Sequence, residues 1–107
     1  MAVVLPAGLS GCGGSVCDNA VKAEQAANAK STSCNVAPIT VHDAQRCNSG
    51  LSKCSSDDLK ELESYGACLA ALPACTPQNE IQWRGQRDGC TTQGFFRISL
   101  NCFANIL

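Results

Sequence analysis

Cysteines are the residues of this chain that could do chemistry, and nine are present. Structural zinc sites usually hold two ligands only two to four residues apart, and beyond residue 12 no two cysteines are that close. There is also no Cys-x-x-Cys redox or Cys-x-x-Cys-His haem motif, so we expect no metal and no cofactor. Even, wide spacing instead predicts a disulfide framework and an oxidising compartment. The eight cysteines of this framework are Cys17, Cys34, Cys47, Cys54, Cys68, Cys75, Cys90 and Cys102.

The composition supports a small domain held together by disulfides. The 107 residues allow one domain, and large apolar side chains are few, with five aromatic residues in all. Burial of apolar surface alone would leave such a domain marginal, and cross-links would compensate. The formal net charge is −1 with no basic patch. The chain therefore lacks the charge pattern of a nucleic-acid-binding protein.

Other residues that could act as acids or bases have simpler structural explanations. His42 is the single histidine, and no nucleophile lies at an interpretable spacing from it, so we predict a solvated surface residue. Asp57 and Asp58 favour a helix start, where the helix dipole stabilises negative charge. Glu61 and Glu63 fit the solvated face of the same helix. The sequence therefore predicts no catalytic residue and a protein that is not an enzyme.

Trp83, Arg84 and Arg87 form the most suggestive candidate for an interaction surface. Trp83 and Arg87 are four residues apart and could stack as a cation–π pair on one helix face. Trp and Arg also dominate the binding energy of many protein interfaces. The alternative is that Trp83 is the largest core residue of a domain poor in large apolar side chains.

Helices must position these residues, and five segments qualify. We predict a first helix over 18–32, Ala-rich and capped by Asp18, and a short second helix that opens with a capping box at Thr40. A third helix begins at Ser55 and continues with apolar residues at three- and four-residue spacing. The fourth opens with Thr76 as cap and Pro77 at its first position, and it ends at Gly89. Residues 94–106 fit a strand or a helix, and we favour the helix.

The spacing of four cysteines suggests an antiparallel helical hairpin. Cys54 and Cys68 bracket the third helix and Cys75 and Cys90 bracket the fourth, with nearly equal separations. A turn at Pro73 would bring Cys54 opposite Cys90 and Cys68 opposite Cys75, so we predict these two disulfides.

The ninth cysteine follows a short apolar leader. Leu9-Ser10-Gly11-Cys12 resembles, position by position, the lipobox of bacterial lipoproteins, and the chain resembles the small cysteine-rich members of that class. The resemblance implies that residues 1–11 are a signal peptide remnant and that Cys12 is acylated and anchors the protein in a membrane. Gly13 at the next position implies the outer membrane. Residues 12–16 are then expected to be a flexible tether to a helical domain over 17–107.

These observations predict an all-α fold, a small bundle of four to five short helices around the antiparallel hairpin and stapled by up to four disulfides. The expected function is that of a non-enzymatic binding or structural protein, anchored on the bacterial envelope or secreted. The membrane would be one partner, through Cys12, and a second protein would be another. One alternative is a secreted, protease-resistant effector or inhibitor, and a less favoured one is a small hydrolase.

Overall fold

Helices make up the architecture of residues 14–107, which are the residues that the computed structural model describes. No β-strand occurs among them, so the predicted all-α fold is confirmed. The segment after Gly94 is also helical, as we favoured over a strand. The five α-helices are α1 (Gly14–Lys30), α2 (Ala44–Gly50), α3 (Ser56–Ala70), α4 (Glu80–Gly94) and α5 (Leu100–Ile106). Two single turns of 3₁₀ helix, Leu51–Lys53 and Phe95–Arg97, follow α2 and α4.

Polar side chains cap the starts of three helices, and for α5 the cap is Ser99, whose hydroxyl accepts from the Cys102 backbone N–H. Ser55 caps α3 in the predicted way, because its hydroxyl accepts from the Asp58 backbone N–H and the Asp58 carboxylate accepts from that of Ser55. The prediction for α2 was wrong in its cap. Asp43 caps this helix, accepting from the N–H groups of Gln45 and Arg46, and Thr40 lies three residues upstream.

The first helix begins earlier than predicted. Asp18 is an exposed residue inside α1 and does not cap it. Residues 14–16 belong to this helix as well, so the structure gives them a helical conformation in place of the expected flexible tether. Cys12 and the leader lie outside the described residues.

The fourth helix also differs from its prediction. Thr76 and Asn79 bond each other's backbone N–H through their side chains, which closes a turn at the place where we expected the first helical turn. The helix then starts at Glu80 and continues through Gly89 to Gly94. A glycine inside a helix costs about 1 kcal/mol. The buried residues Trp83 and Cys90 on either side of Gly89 tie the helix to the core and keep it continuous.

All eight predicted cysteines form disulfides, which confirms the framework. The bonds are Cys17–Cys47, Cys34–Cys75, Cys54–Cys102 and Cys68–Cys90. Each closes a loop of 22 to 48 residues. Loop-closure entropy assigns about 3 to 4 kcal/mol of stabilisation to each bond of this kind. Every one of the five helices carries at least one bridged cysteine.

The predicted pairs Cys54–Cys90 and Cys68–Cys75 were wrong because the register of the hairpin differs. Helix α3 and helix α4 with its extension do run antiparallel: Cys68 meets Cys90, Tyr65 meets Gly94, and Asp58 meets Ser99. The midpoint in sequence of each of these pairs lies near Asn79 and not at Pro73. The segment 71–79 therefore extends beyond the end of α3, where Cys75 reaches Cys34.

Small residues let the helices approach closely. Helix α1 turns Ala20, Ala23 and Ala27 into the core, where it packs along α3. A Cβ atom on Gly66 of α3 would lie 3.5 Å from Ala20 Cα, so the two backbones nearly touch. Gly94 is tighter still, because an added Cβ would lie 2.6 Å from that of Tyr65. The α1–α3 packing thus depends on alanine and glycine more than on bulky side chains.

Replacement of two glycines of α4 by alanine is expected to have opposite effects. Gly94→Ala should lower the free energy of unfolding by about 1–3 kcal/mol, because its methyl group collides with Tyr65. Gly85→Ala is the matched control: nothing lies within 4 Å of its Cβ position, and alanine should stabilise the helix by up to about 1 kcal/mol. Urea denaturation with intact disulfides measures both. Equal effects of the two substitutions would contradict the close approach of α4 to Tyr65.

Candidate functional site

The predicted interaction residues of α4 lie mostly inside the protein. Trp83 is 1% exposed, and its indole N–H donates to the Pro73 carbonyl over 2.7 Å. Arg87 lies with its guanidinium carbon 5.7 Å from the centre of the Trp83 ring, which confirms the predicted stacking. Of the three residues only Arg84 is exposed, and it forms an ion pair with Glu80 one helical turn away. Trp83 is therefore a core residue, the alternative given above, and this trio does not form a surface for a partner.

Arg87 has a second contact that sequence reasoning missed. Its Nη1 donates to the Ala37 carbonyl over 2.7 Å, which holds the irregular segment 35–43 against α4. Asn28 on α1 fixes the same segment from the other side: its side chain both donates to the Ile39 carbonyl and accepts from the Ile39 N–H. Side chains of two helices thus hold the backbone of a segment that belongs to neither a helix nor a sheet.

The third support of segment 35–43 is a buried cluster of ionisable and polar groups. Glu24 is 1% exposed, and its Oε1 accepts from the His42 backbone N–H over 2.9 Å. Its Oε2 lies 2.5 Å from His42 Nδ1 and accepts from the Tyr65 hydroxyl over 2.7 Å. The Glu24 carboxylate therefore holds both the backbone of residue 42 and the imidazole ring of His42 in place.

His42 is thus not the fully solvated residue that we predicted. Its side chain is 24% exposed, and its Nε2 has no hydrogen-bond partner among the described residues. Glu24 was not predicted at all. Its position on the Ala20–Ala23–Ala27 face of α1 was the available signal, because an acid on an otherwise apolar helix face needs a partner.

His42 lines a surface groove, which we call the aromatic groove. Its floor centres on Phe95, whose ring lies 4.2 Å from that of Tyr65, 5.3 Å from that of His42 and 5.9 Å from that of Phe103, measured between centroids. Segment 35–43 forms one wall. The volume is about 380 Å³, within the range of small-molecule sites. The groove is lined by Pro38, Ile39, Thr40, His42, Tyr65, Thr91, Phe95, Phe96, Phe103 and Leu107.

The aromatic groove is apolar and carries few polar groups. Phe96 on its rim is 75% exposed, which is unusual for a phenylalanine. None of the lining residues is Lys, Arg, Asp or Glu. The guanidinium of Arg46 lies beside the groove, because its Nε donates to the main-chain oxygen of Leu107. The polar side chains among the lining residues are those of Thr40, His42, Tyr65 and Thr91.

Asp58 is a second buried carboxylate, with a structural role. It accepts from the Ser99 backbone N–H, the Ser55 backbone N–H and the Ser99 hydroxyl, so it joins the start of α3 to the start of α5. These hydrogen bonds, that from the Ser99 backbone first, lower the pKa of Asp58 to about 2. Its neighbours Cys54 and Cys102 are bonded to each other, so they offer no thiolate to a metal.

Comparisons with protein-family models, with curated proteins and with solved structures find no significant match to this chain. Among the described residues, no helix has the length and apolar character needed to cross a bilayer. The four disulfides fit an oxidising compartment such as the extracellular space or a bacterial envelope.

Acid should remove the stabilising contribution of Asp58. Because its folded-state pKa lies below the ordinary value near 4, this contribution is complete above about pH 5 and is lost as the pH falls toward about 2. We expect the difference in free energy of unfolding between wild type and Asp58→Asn to be largest at neutral pH and to shrink on acidification. Asp57→Asn, at the exposed neighbouring position, is the control. A difference that is independent of pH would contradict this role of Asp58.

The single tyrosine should resist ionisation in the folded protein. Burial, followed by the hydrogen bond to the Glu24 carboxylate, raises the pKa of Tyr65 well above its ordinary value of about 10. A spectrophotometric titration should therefore show no tyrosinate until the protein unfolds in alkali. The reduced, denatured chain should titrate near pH 10 as the control. Reversible ionisation of the native protein near pH 10 would show that Tyr65 does not donate to a buried carboxylate.

Proposed function

We propose that the chain is a non-enzymatic binding protein of the bacterial cell envelope, anchored through Cys12. The observation that supports binding most directly is the aromatic groove, in which Phe96 stays 75% exposed on a domain with few large apolar side chains. A domain with so little apolar burial would gain stability if it covered such a residue. An aromatic side chain left at the rim of a concave site is typical of ligand and partner surfaces.

The position of the groove fits an anchor at Cys12. Cys17 and Val21 near the start of α1 line a small cavity together with Phe95 and Leu107, and these last two residues also line the aromatic groove. The five residues from Cys12 to Cys17 span at most roughly 18 Å. A lipid on Cys12 would therefore keep the groove close to the membrane surface.

A small hydrolase is the second candidate, and the Glu24–His42 pair is the observation in its favour. In many hydrolases a histidine acts as the general base and a carboxylate orients it by a hydrogen bond. Such a base must reach the hydroxyl or thiol that it activates. Among the described residues nothing is hydrogen-bonded to His42 Nε2, and the eight described framework cysteines are all in disulfides. Binding is therefore the function that we favour.

Mass spectrometry of protein isolated from its native membrane tests the anchor. We expect a mature chain that begins at Cys12 and carries a diacylglycerol on the thiol. Cys12→Ser should appear in the soluble fraction, whereas wild type should sediment with membranes. An unmodified Cys12 in a soluble wild-type protein would contradict anchoring and would favour the secreted effector or inhibitor, for which the disulfides would supply protease resistance.

A further inference from the structure

We infer that the aromatic groove and the exposed apolar side chains beside it form a membrane face, which rests on the surface of an anionic lipid bilayer. This membrane face consists of the groove together with Val41, Phe96 and Leu100. The inference rests on the proposed anchored binding function and names the partner of that site: the bilayer that holds Cys12.

The exposed apolar side chains of the described residues cluster at this place. Four large apolar side chains are exposed there, and three of them lie at or beside the groove. Phe96 lines the groove, and Val41, 40% exposed, lies between two lining residues. Leu100 is 85% exposed and precedes the lining residue Phe103 by one turn of α5, so both project from the same helix face. Such clustering indicates a surface that a partner covers.

Positive charges lie beside the same surface. Arg46 donates from Nε to Leu107, which lines the groove. Lys53 is exposed and is joined to α5, because its carbonyl oxygen accepts from the side chain of Asn101, the neighbour of Leu100. Neither cation forms an ion pair with an Asp or Glu side chain of the described residues. Both charges are therefore available to an anionic partner.

The surface of an anionic bilayer matches both features. Apolar side chains enter the boundary between head groups and acyl chains, while Lys and Arg stay at the level of the phosphates. Arg97, directly after Phe96, adds a third exposed cation, although it shares a small pocket with Glu61 and is partly offset by it. A small ligand inside the groove would leave Leu100 and these cations without a contact, whereas a bilayer surface engages all of them.

The anchor brings this surface to the bilayer. Helix α1 begins at Gly14, and the two residues from Cys12 to Gly14 span at most roughly 7 Å. Along α1, Cys17 and Val21 line a small cavity with Phe95 and Leu107, which also line the groove. A lipid on Cys12 therefore fixes this part of the domain near the head groups. Attachment by one lipid together with apolar and basic contacts is more stable than attachment by the lipid alone.

Tryptophan substitutions locate the contact. Phe96→Trp and Ile81→Trp place an indole at two exposed apolar positions, of which only the first lines the groove. The full-length oxidised chain is mixed with vesicles of phosphatidylethanolamine and phosphatidylglycerol that carry brominated acyl chains. We expect bromine to quench the fluorescence of Phe96→Trp. Ile81→Trp should be quenched no more than wild type, whose Trp83 is 1% exposed.

Serine variants measure how much the apolar contact contributes. They are compared in a Cys12→Ser background, so that no attached lipid masks the effect, and every variant keeps the same residues 1–11. Phe96→Ser should weaken sedimentation with the anionic vesicles about tenfold, because it removes an apolar side chain that enters the bilayer. Ile81→Ser is the matched control, since Ile81 is 86% exposed and does not line the groove, and it should bind like its parent.

Charge variants test the preference for anionic lipids. Lys53→Gln should weaken binding about fivefold at low salt. Arg84→Gln is the control, because Arg84 is paired with Glu80 at the start of α4 and does not line the groove, and it should leave binding unchanged. Vesicles of phosphatidylcholine should bind the parent more weakly, and salt should reduce the difference between the two lipids.

Several results would overturn the inference: no quenching of Phe96→Trp, equal quenching of Phe96→Trp and Ile81→Trp, or equal loss of binding in Phe96→Ser and Ile81→Ser. A concentration-dependent dimer that Phe96→Ser dissociates would assign the surface to a second copy instead. The anchor is judged separately. Lipidation of Cys12 without quenching of Phe96→Trp defeats the membrane face alone, and quenching in a chain whose native form lacks the lipid defeats the anchor alone.

Discussion

Four covalent cross-links are the constraint on which the rest of this structure depends. Helix α1 contributes mainly alanine to the core, and α2 and α5 are only seven residues long. Isolated helices of that length are unstable in water. Their cysteines tie α2 to α1 through Cys17–Cys47 and α5 to the start of α3 through Cys54–Cys102. With the short helices held in place, small side chains suffice to fill the space between the longer ones.

The wall of the aromatic groove is held in place by buried polar side chains. Glu24 and Asn28 project from one helix and Arg87 from another, and together they hold the backbone of segment 35–43. Segments without regular structure leave backbone groups unpaired, and these three side chains satisfy several of them. Because Glu24 also accepts a hydrogen bond from the Tyr65 hydroxyl, one buried carboxylate links the groove wall formed by segment 35–43 to α3.

Local signals in the sequence predicted the fold class. They could not predict the register in which two helices distant in sequence pair with each other. The capping box of Ser55 and Asp58 involves residues three apart, so its pattern is readable directly. The pairing of Cys68 with Cys90 depends on the path of segment 71–79. Cys34 and Trp83 hold this segment from outside, and Asn79 closes it from within. Equal spacing of cysteines around two predicted helices could not reveal this path.

The candidate site was less predictable than the fold for the same reason. His42 was identified as the single histidine, but Glu24 lies 18 residues away and Tyr65 41 residues from Glu24. Trp83 and Arg87 were paired correctly because they are four residues apart on one helix, whereas their burial depended on partners at Pro73 and Ala37. Contacts within one helix turn were predicted, and contacts between elements required the three-dimensional structure.

The order of the cysteines has a consequence for how this protein must mature. None of the four bonds joins two cysteines that are neighbours in the framework: Cys17 passes over Cys34, and Cys68 passes over Cys75. A chain oxidised in the order in which it emerges from an export channel would first close Cys17 onto Cys34. The native connectivity then requires that early bond to be broken again by thiol–disulfide exchange. Oxidation in that order would therefore need a compartment that exchanges disulfides as well as forming them.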